Sequence, residues 1–396
     1  MSFLAAKDLQ VGYHKRIVVD NINMDLNKGE ILCLLGPNGC GKSTILKTIT
    51  NQIELLNGKM TVMDKDLNSI SNGERAKYMS IVLTERIDPA MMTAGEVVAL
   101  GRYPHTNYFG KLTDNDLRII EESLICVNGM KLKNKQFKYL SDGEKQRILI
   151  ARAICQESDI MVLDEPTSFL DIKYKVELLN IIKSLALKKS KTIIMSLHEI
   201  ELASKIADKV LLIKDGKIYD YGAPEDIITD EAIREVYNLD SGYFNTTIGN
   251  IELPKIEEEA KIFVIGGGGK ASRIYRALNR RGIAFNSGIL FKNDMDYNIS
   301  LKLSNKTIAE DEFVNIREEK LEEAKELIKN CDLVIDSAVS LAGIGKGNYD
   351  LIQFAIEEGK RVLSLRKEDI GLGLINYNTI SPMIHDVVEY LRLVKN

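Results

Sequence analysis

A chain of 396 residues exceeds what one hydrophobic core ordinarily supports, since cores stop growing near ~250–300 residues, so two domains are expected. With 45% hydrophobic and 28% charged residues and 53 basic against 57 acidic side chains, the composition is that of a soluble globular protein with a formal charge of −4, and no global basic field argues for nucleic acid. The five cysteines (Cys33, Cys40, Cys126, Cys155 and Cys331) are odd in number and never paired as CxxC, which fits a reducing cytosol and offers no metal site.

The N-terminus, MSFLAAKDLQVGYHKR, lacks the charged-then-apolar pattern of a signal peptide. No stretch approaches the ~18 apolar residues that span a bilayer, so work at a membrane requires another chain to hold this one there. The first 27 residues read as short alternating strands. ILCLLG (31–36) is a buried strand ended by glycine, followed by GPNGCGKST and a helix expected over TILKTITNQIEL. Residues 86–135 read as mostly helical. Strands IMVLDE (160–165) and TIIMSL (192–197), each after a helical segment, give the βαβ alternation of a parallel sheet. KVLLIKDGKIYDYG (209–222) reads as a hairpin turning at Asp215-Gly216. A connector is expected over 251–260, separating residues 1–250 from a second α/β pattern over 261–396.

The chemistry concentrates in three segments. Gly36-Pro37-Asn38-Gly39-Cys40-Gly41-Lys42-Ser43-Thr44 matches GxxxxGK[ST] between a strand and a helix. There, backbone N–H groups close around phosphates at a positive helix N-terminus, Lys42 reaches the outer phosphates, and the Ser43 hydroxyl can ligate Mg²⁺. Cys40 inside this loop is open to oxidation or is simply an inert small residue. IMVLDEP delivers Asp164 to the sheet edge, where it can hold Mg²⁺, and Glu165, which can orient or deprotonate an attacking water. LSDGEKQRILIARAI (140–154) places Ser141 and Gly143 before a second positive helix start. One phosphate site has no use for a second such helix, but two copies of the chain would, each offering it to the nucleotide held by the other.

These residues resemble ABC transporter ATPases. The resemblance covers the first 250 or so residues and implies a P-loop fold with a parallel-core sheet, an antiparallel β subdomain and a helical subdomain. It implies Ser141 and Gly143 as γ-phosphate contacts, with Asp142 and Glu144 departing from the commoner glycine and glutamine. Ser168-Phe169-Leu170-Asp171 resembles the loop that communicates across the dimer, and His198 the histidine that touches the γ-phosphate. Tyr13 resembles the aromatic that stacks on adenine, a strand tyrosine facing the core being the competing reading. Glu85 stands where the family usually has a glutamine that contacts Mg²⁺ and relays closure; it is expected to keep that role as both nucleotide and metal contact. Lys42, Glu165 and His198 are the expected catalytic set, with Asp171 among the nucleotide contacts and Ser43, Asp164 and Glu85 around the metal.

TAGEVVALGRYPHTNYFG (93–110) resembles the permease-facing segment of importer ATPases for iron–siderophore, haem and cobalamin, with Tyr103, Pro104 and Tyr108 available to a partner helix. The resemblance therefore implies an ATP- and Mg²⁺-dependent homodimer that energises a membrane permease and its substrate-binding protein from the cytoplasmic face of the plasma membrane. Rival readings are a soluble ABC ATPase that remodels a non-membrane complex and a ligand-sensing regulatory ATPase. The second domain is expected to be a smaller Rossmann-like fold. Gly266-Gly267-Gly268-Gly269-Lys270-Ala271 fits a dinucleotide-type loop, Asp294 follows the next strand, and AGIGKGN (342–348) forms a second glycine loop. A small-molecule ligand there competes with a purely structural or dimerising role.

Overall fold

The apolar runs that mark strands in the sequence are buried on both faces, as in sheets covered by helices on either side: Ile160–Leu163 and Thr192–Ser196 are buried throughout. The structure, a computed structural model, describes residues 2–83, 89, 91–107, 109–246, 249–367 and 370–395. The chain divides into two units, Met1–Asn238 with Thr246–Gly249, and Leu239–Asn245 with Asn250–Asn396.

In the first unit the strands are β1 (Leu4–Tyr13), β2 (Arg16–Leu26), β3 (Ile31–Leu35), β4 (Asn57–Val62), β5 (Lys65–Asp66), β6 (Met79–Val82), β7 (Ile160–Leu163), β8 (Thr192–Ser196), β9 (Lys209–Lys214) and β10 (Lys217–Gly222). They form one sheet in the order β5-β4-β1-β2-β10-β9-β3-β8-β7-β6. Strands β9, β3, β8, β7 and β6 pair in parallel, whereas β1, β2, β4 and β5 pair antiparallel. This is the expected parallel core with an antiparallel β subdomain. The first residues form two long strands rather than several short ones. Irregular pairing between Ala6 and Leu9, and again between Leu9 and Val11, breaks the inside–outside alternation and makes one strand read as fragments. The β9–β10 hairpin turns where expected, at Asp215 (φ 46°) and Gly216 (φ 72°), both in the left-handed region that a tight hairpin requires.

The helix after the phosphate loop is shorter than expected, Lys42–Ile49. Thr50 ends it, its amide and its hydroxyl both donating to the Leu46 carbonyl, at 3.0 and 2.9 Å. The helical subdomain contains Ala94–Ala99, the tighter turn Leu100–His105, Asp114–Cys126 and Asp142–Cys155. All three α-helices start with reciprocal caps, Thr93 with Glu96, Thr113 with Asp116 and Ser141 with Glu144. Arg102, only 4% exposed, ties the subdomain together by donating to Asp116 at 2.8 Å, Glu157 at 2.8 Å and the Cys155 carbonyl at 2.7 Å.

In the second unit a hairpin of β11 (Tyr243–Asn245) and β12 (Asn250–Glu252) precedes β13 (Ile262–Ile265), β14 (Phe285–Phe291), β15 (Thr307–Glu310), β16 (Leu333–Asp336), β17 (Arg361–Ser364) and β18 (Ile375–Asn376). The last six form an all-parallel sheet in the order β15-β14-β13-β16-β17-β18. The sheet grows outward in both directions from β13 and β16, the winding of a dinucleotide-binding fold. The boundary expected at 251–260 falls earlier. Buried Glu252 accepts from Arg276 at 3.0 and 3.1 Å, and Asn279 donates to the Pro254 carbonyl at 2.8 Å, so the start of that stretch is anchored to the helix Ser272–Arg280.

Candidate functional site

The C-terminal ends of β3, β8 and β7, neighbours in the sheet, bring the chemistry together. From β3 the chain enters the phosphate loop. Gly36 has φ +152°, and a Cβ there would stand 2.3 Å from the Ile213 carbonyl oxygen, so no side chain fits. Gly41 precedes Lys42–Ile49 in a left-handed conformation with no side-chain cap, which leaves the first-turn amides for an anion. Lys42 folds back onto its own loop and donates to the carbonyls of Gly36 at 2.7 Å and Pro37 at 3.0 Å. Cys40 is buried and its thiol is pushed up by that burial, which favours the inert reading over a reactive thiolate.

Asp164 at the end of β7 accepts from the Ser43 hydroxyl at 3.2 Å and from Ser196 at 2.7 Å. Ser196 also accepts from the Glu165 amide at 2.8 Å, so one hydroxyl at the end of β8 positions both carboxylate residues. Sequence reasoning did not single out Ser196. Its signal was a polar residue ending an apolar strand. Glu165, in a left-handed conformation at φ 47°, meets His198 Nε2 at 2.5 Å and accepts from Ser168 at 3.1 Å. Lys42, Ser43, Asp164, Glu165, Ser168 and His198 thus lie along one sheet edge.

Tyr13 stands at the β1–β2 turn, 44% exposed, and with Arg16, Pro37, Asn38, Asp215 and others lines a cleft of about 570 Å³ next to the phosphate loop. Its ring is open to a ligand and does not face the core. Ser141 and Gly143 begin the helix Asp142–Cys155. Glu144 is the capping partner of Ser141, accepting from its amide at 2.9 Å, and that amide draws the Glu144 carboxyl below its usual range. A side chain at Gly143 would strike the ring of Tyr174 at 2.9 Å. Asp171 caps Ile172–Lys189, accepting from the Tyr174 amide at 3.0 Å. Within one chain Ser141 and Asp171 are exposed helix caps and Gly143 is buried in the first turn. Glu85 and Tyr108 lie outside the described residues.

Pro104 and the 78% exposed Tyr103 border a groove of about 450 Å³ that Arg75, Leu100, Arg152 and Gln156 also line. In the second unit, the amides of the first glycine loop already have partners. Asp294 accepts from Gly268 at 2.5 Å and Gly269 at 3.2 Å; Asp296, buried, accepts from Gly267 and Ala271 at 3.0 Å and from Ser272 at 2.8 Å. Asp294, the acidic residue after the next strand, fills part of the nest in which a pyrophosphate would sit. Among the described residues no cluster of three or more His, Cys, Asp or Glu side chains forms a metal site, and no helix is long and apolar enough to cross a membrane.

The ABC transporter family model matches residues 19–168. An uncharacterised ABC transporter ATP-binding protein of Methanocaldococcus jannaschii is 46% identical over 276 residues, covering 69% of this chain and 95% of that protein. The chain belongs to the ABC transporter ATP-binding proteins. As an ABC ATPase it binds and hydrolyses ATP. Other ABC relatives are the iron(3+)-hydroxamate import ATP-binding protein of Bacillus subtilis, 33% identical over 61% of this chain and 90% of its own length, and the cobalamin import ATP-binding protein of Halobacterium salinarum, 26% identical over 71% and 72%. Among solved structures, a proposed metal-chelate type ABC transporter in an inward-facing conformation matches at TM-score 0.54 and 30% identity, over 60% of this chain and 90% of that one. A dimeric ATP-binding cassette in a post-hydrolysis state with ADP and Pi matches at TM-score 0.50 and 25% identity, over 56% and 98%. Beyond the ABC unit, residues 285–377 match the MJ0874 family.

Proposed function

We propose that this ABC ATPase is the energising subunit of an importer of iron–siderophore, haem or cobalamin, working through a separate membrane permease and its substrate-binding protein at the cytoplasmic face of the plasma membrane. The observation that carries this reading is the groove beside Tyr103 and Pro104, an open recess at the segment resembling the permease-facing part of such importers. The hydroxamate and cobalamin import relatives support the same class of cargo. The test is purification from solubilised membranes: a multi-span permease should come with the chain, and recovery with a soluble assembly alone would sink the proposal in favour of a remodelling ATPase.

In this reading two copies close on two ATP molecules, each bringing Ser141, Gly143 and Asp171 to the nucleotide held by the other. The loop Gly36–Thr44 wraps the phosphates, and Tyr13 stacks on the base. Lys42 leaves the Gly36 and Pro37 carbonyls for phosphate oxygens, which replace neutral acceptors with charged ones. The residues fit Mg²⁺: Ser43 and the almost buried Asp164 present hard oxygen donors 3.2 Å apart beside the loop, with Glu85 proposed as a further ligand. When bound, the ion offsets the charge of the phosphates during transfer. Glu165 orients the attacking water and accepts its proton, and His198, already on Glu165, holds that carboxylate in place and reaches the γ-phosphate.

For the second unit we propose a small-molecule ligand at the carboxyl ends of β13 and β16, where the winding of the sheet reverses. Because Asp294 and Asp296 already hold the glycine-loop amides, the reading favours a ligand without phosphate. Absorbance titration of the full chain with haem, which has no phosphate, and with cobalamin, which has one, tests it: a spectral change with haem supports the reading, and one with cobalamin alone counts against a phosphate-free ligand.

A further inference from the structure

Gly36 opens the phosphate loop at φ +152°, close against the Ile213 carbonyl. Its carbonyl accepts from Lys42 at 2.7 Å. Its amide points the other way and donates to the Tyr237 hydroxyl at 3.2 Å. Tyr237 is far away in sequence. It caps the C-terminus of the helix Asp230–Val236, which is held against the sheet from two sides: the Tyr219 hydroxyl of β10 donates to Glu235 at 2.9 Å, and Lys214 of β9 lies 3.6 Å from the same carboxylate. The phenol is partly buried, and that burial pushes its pKa up to about 12, so it remains a neutral hydroxyl throughout the physiological range. One residue further on, after Asn238, the chain leaves the first unit.

We infer that Tyr237 is a positioning residue for ATP binding: its hydroxyl fixes Gly36, and so ties the phosphate loop to the point at which the ATPase unit hands over to the accessory unit. The inference rests on the assignment of Gly36–Thr44 as the phosphate site. The Gly36 amide is already taken by the Tyr237 hydroxyl, which leaves the loop amides that follow for the phosphates. The bond therefore shapes the loop equally before and during phosphoryl transfer. Loss of such uniform support raises KM and leaves kcat in place. A displacement of the segment 230–238 is felt at the phosphate loop through this bond.

The test uses the full-length chain, with ATP binding by titration calorimetry and steady-state ATPase kinetics for Tyr237→Phe, Tyr237→Leu and Lys42→Ala. Tyr237→Phe keeps the ring and removes only the acceptor. The expected result is a roughly three- to tenfold rise in both Kd and KM for ATP, the size of one hydrogen bond, with kcat within about twofold of the parent. A parent-like Kd and KM in Tyr237→Phe would overturn the inference. So would a loss confined to Tyr237→Leu, because ring packing would then carry the effect, and so would a fall in kcat at constant KM. Unchanged ATP binding in Lys42→Ala would instead overturn the assignment of the phosphate loop, and the inference with it.

Discussion

Glu165 and His198, the proposed catalytic pair, show how little of such an arrangement resides in the residue types alone. A glutamate after an aspartate, and a histidine more than thirty residues later, become a pair because β7 and β8 are parallel neighbours that end at the same edge. Ser196 completes the arrangement by holding Asp164 and the Glu165 amide together. Glu165→Gln keeps the shape and removes the base, and is expected to lower kcat by at least ~100-fold while ATP still binds, the usual weight of a general base; turnover near the parent rate would assign the base elsewhere. Ser196→Ala takes one donor from Asp164 and the acceptor from the Glu165 amide, and is expected to lower kcat/KM roughly tenfold, read from steady-state ATPase kinetics, in line with ~1–3 kcal/mol for a group losing its partner.

Among the elements, the helical subdomain depends on one buried cation. Arg102 joins the turn Leu100–His105 to Asp116 on the following helix and to Cys155 and Glu157 at the end of the helix that begins at Ser141. In the sequence it belonged to a partner-facing GRYPH segment. The structure instead makes Arg102 internal and leaves Tyr103 outside. Arg102→Ala strands Asp116 in the interior, and is expected to destabilise the first unit by about 3 kcal/mol, seen as a lower urea midpoint. The Asp116 carboxyl is held down to about 2, first by the Thr113 hydroxyl and then by the Thr113 amide and Arg102. Since the folded value lies below the ordinary ~3.9, its contribution is present above pH ~4 and drains away as pH falls toward 2. Asp116→Asn is therefore expected to flatten the acid limb of stability between pH 4 and 2 in urea titrations at fixed pH. An unchanged acid limb would place the acid sensitivity in other carboxylates, Glu310 among them, whose own value is held near 2 by Arg317.

At the scale of the whole molecule, Ser141 and Asp171 are exposed helix caps, and in the proposed dimer a second copy would offer them to the nucleotide held by the first. Glu165→Gln with ATP and Mg²⁺ is expected to sediment as a dimer, and the same variant without nucleotide as a monomer. A monomer under both conditions would remove the trans role proposed for Ser141, Gly143 and Asp171. The accessory unit has the winding of a dinucleotide-binding sheet, yet its first glycine loop is satisfied from within.

What the sequence determined by itself was everything carried by local chemistry: the glycine-rich loop between strand and helix, the acidic end of β7, the hairpin at Asp215-Gly216 and the existence of a second α/β pattern. Each depends on neighbours within a few residues, where backbone conformation and side-chain type act directly. Only the tertiary structure decided the rest. The long β1 and β2 were hidden by bulges, the boundary was moved by the Glu252–Arg276 pair, and Arg102 was turned inward by carboxylates that lie 14 and 55 residues away. The glycine loop of the second unit fits a nucleotide motif, but Asp294 and Asp296 lie across a strand from it, and no spacing rule states that their carboxylates will take its amides. Such pairings are fixed by where the sheet brings chain segments together, because the cost of leaving a buried donor or acceptor alone selects partners in space and not in sequence.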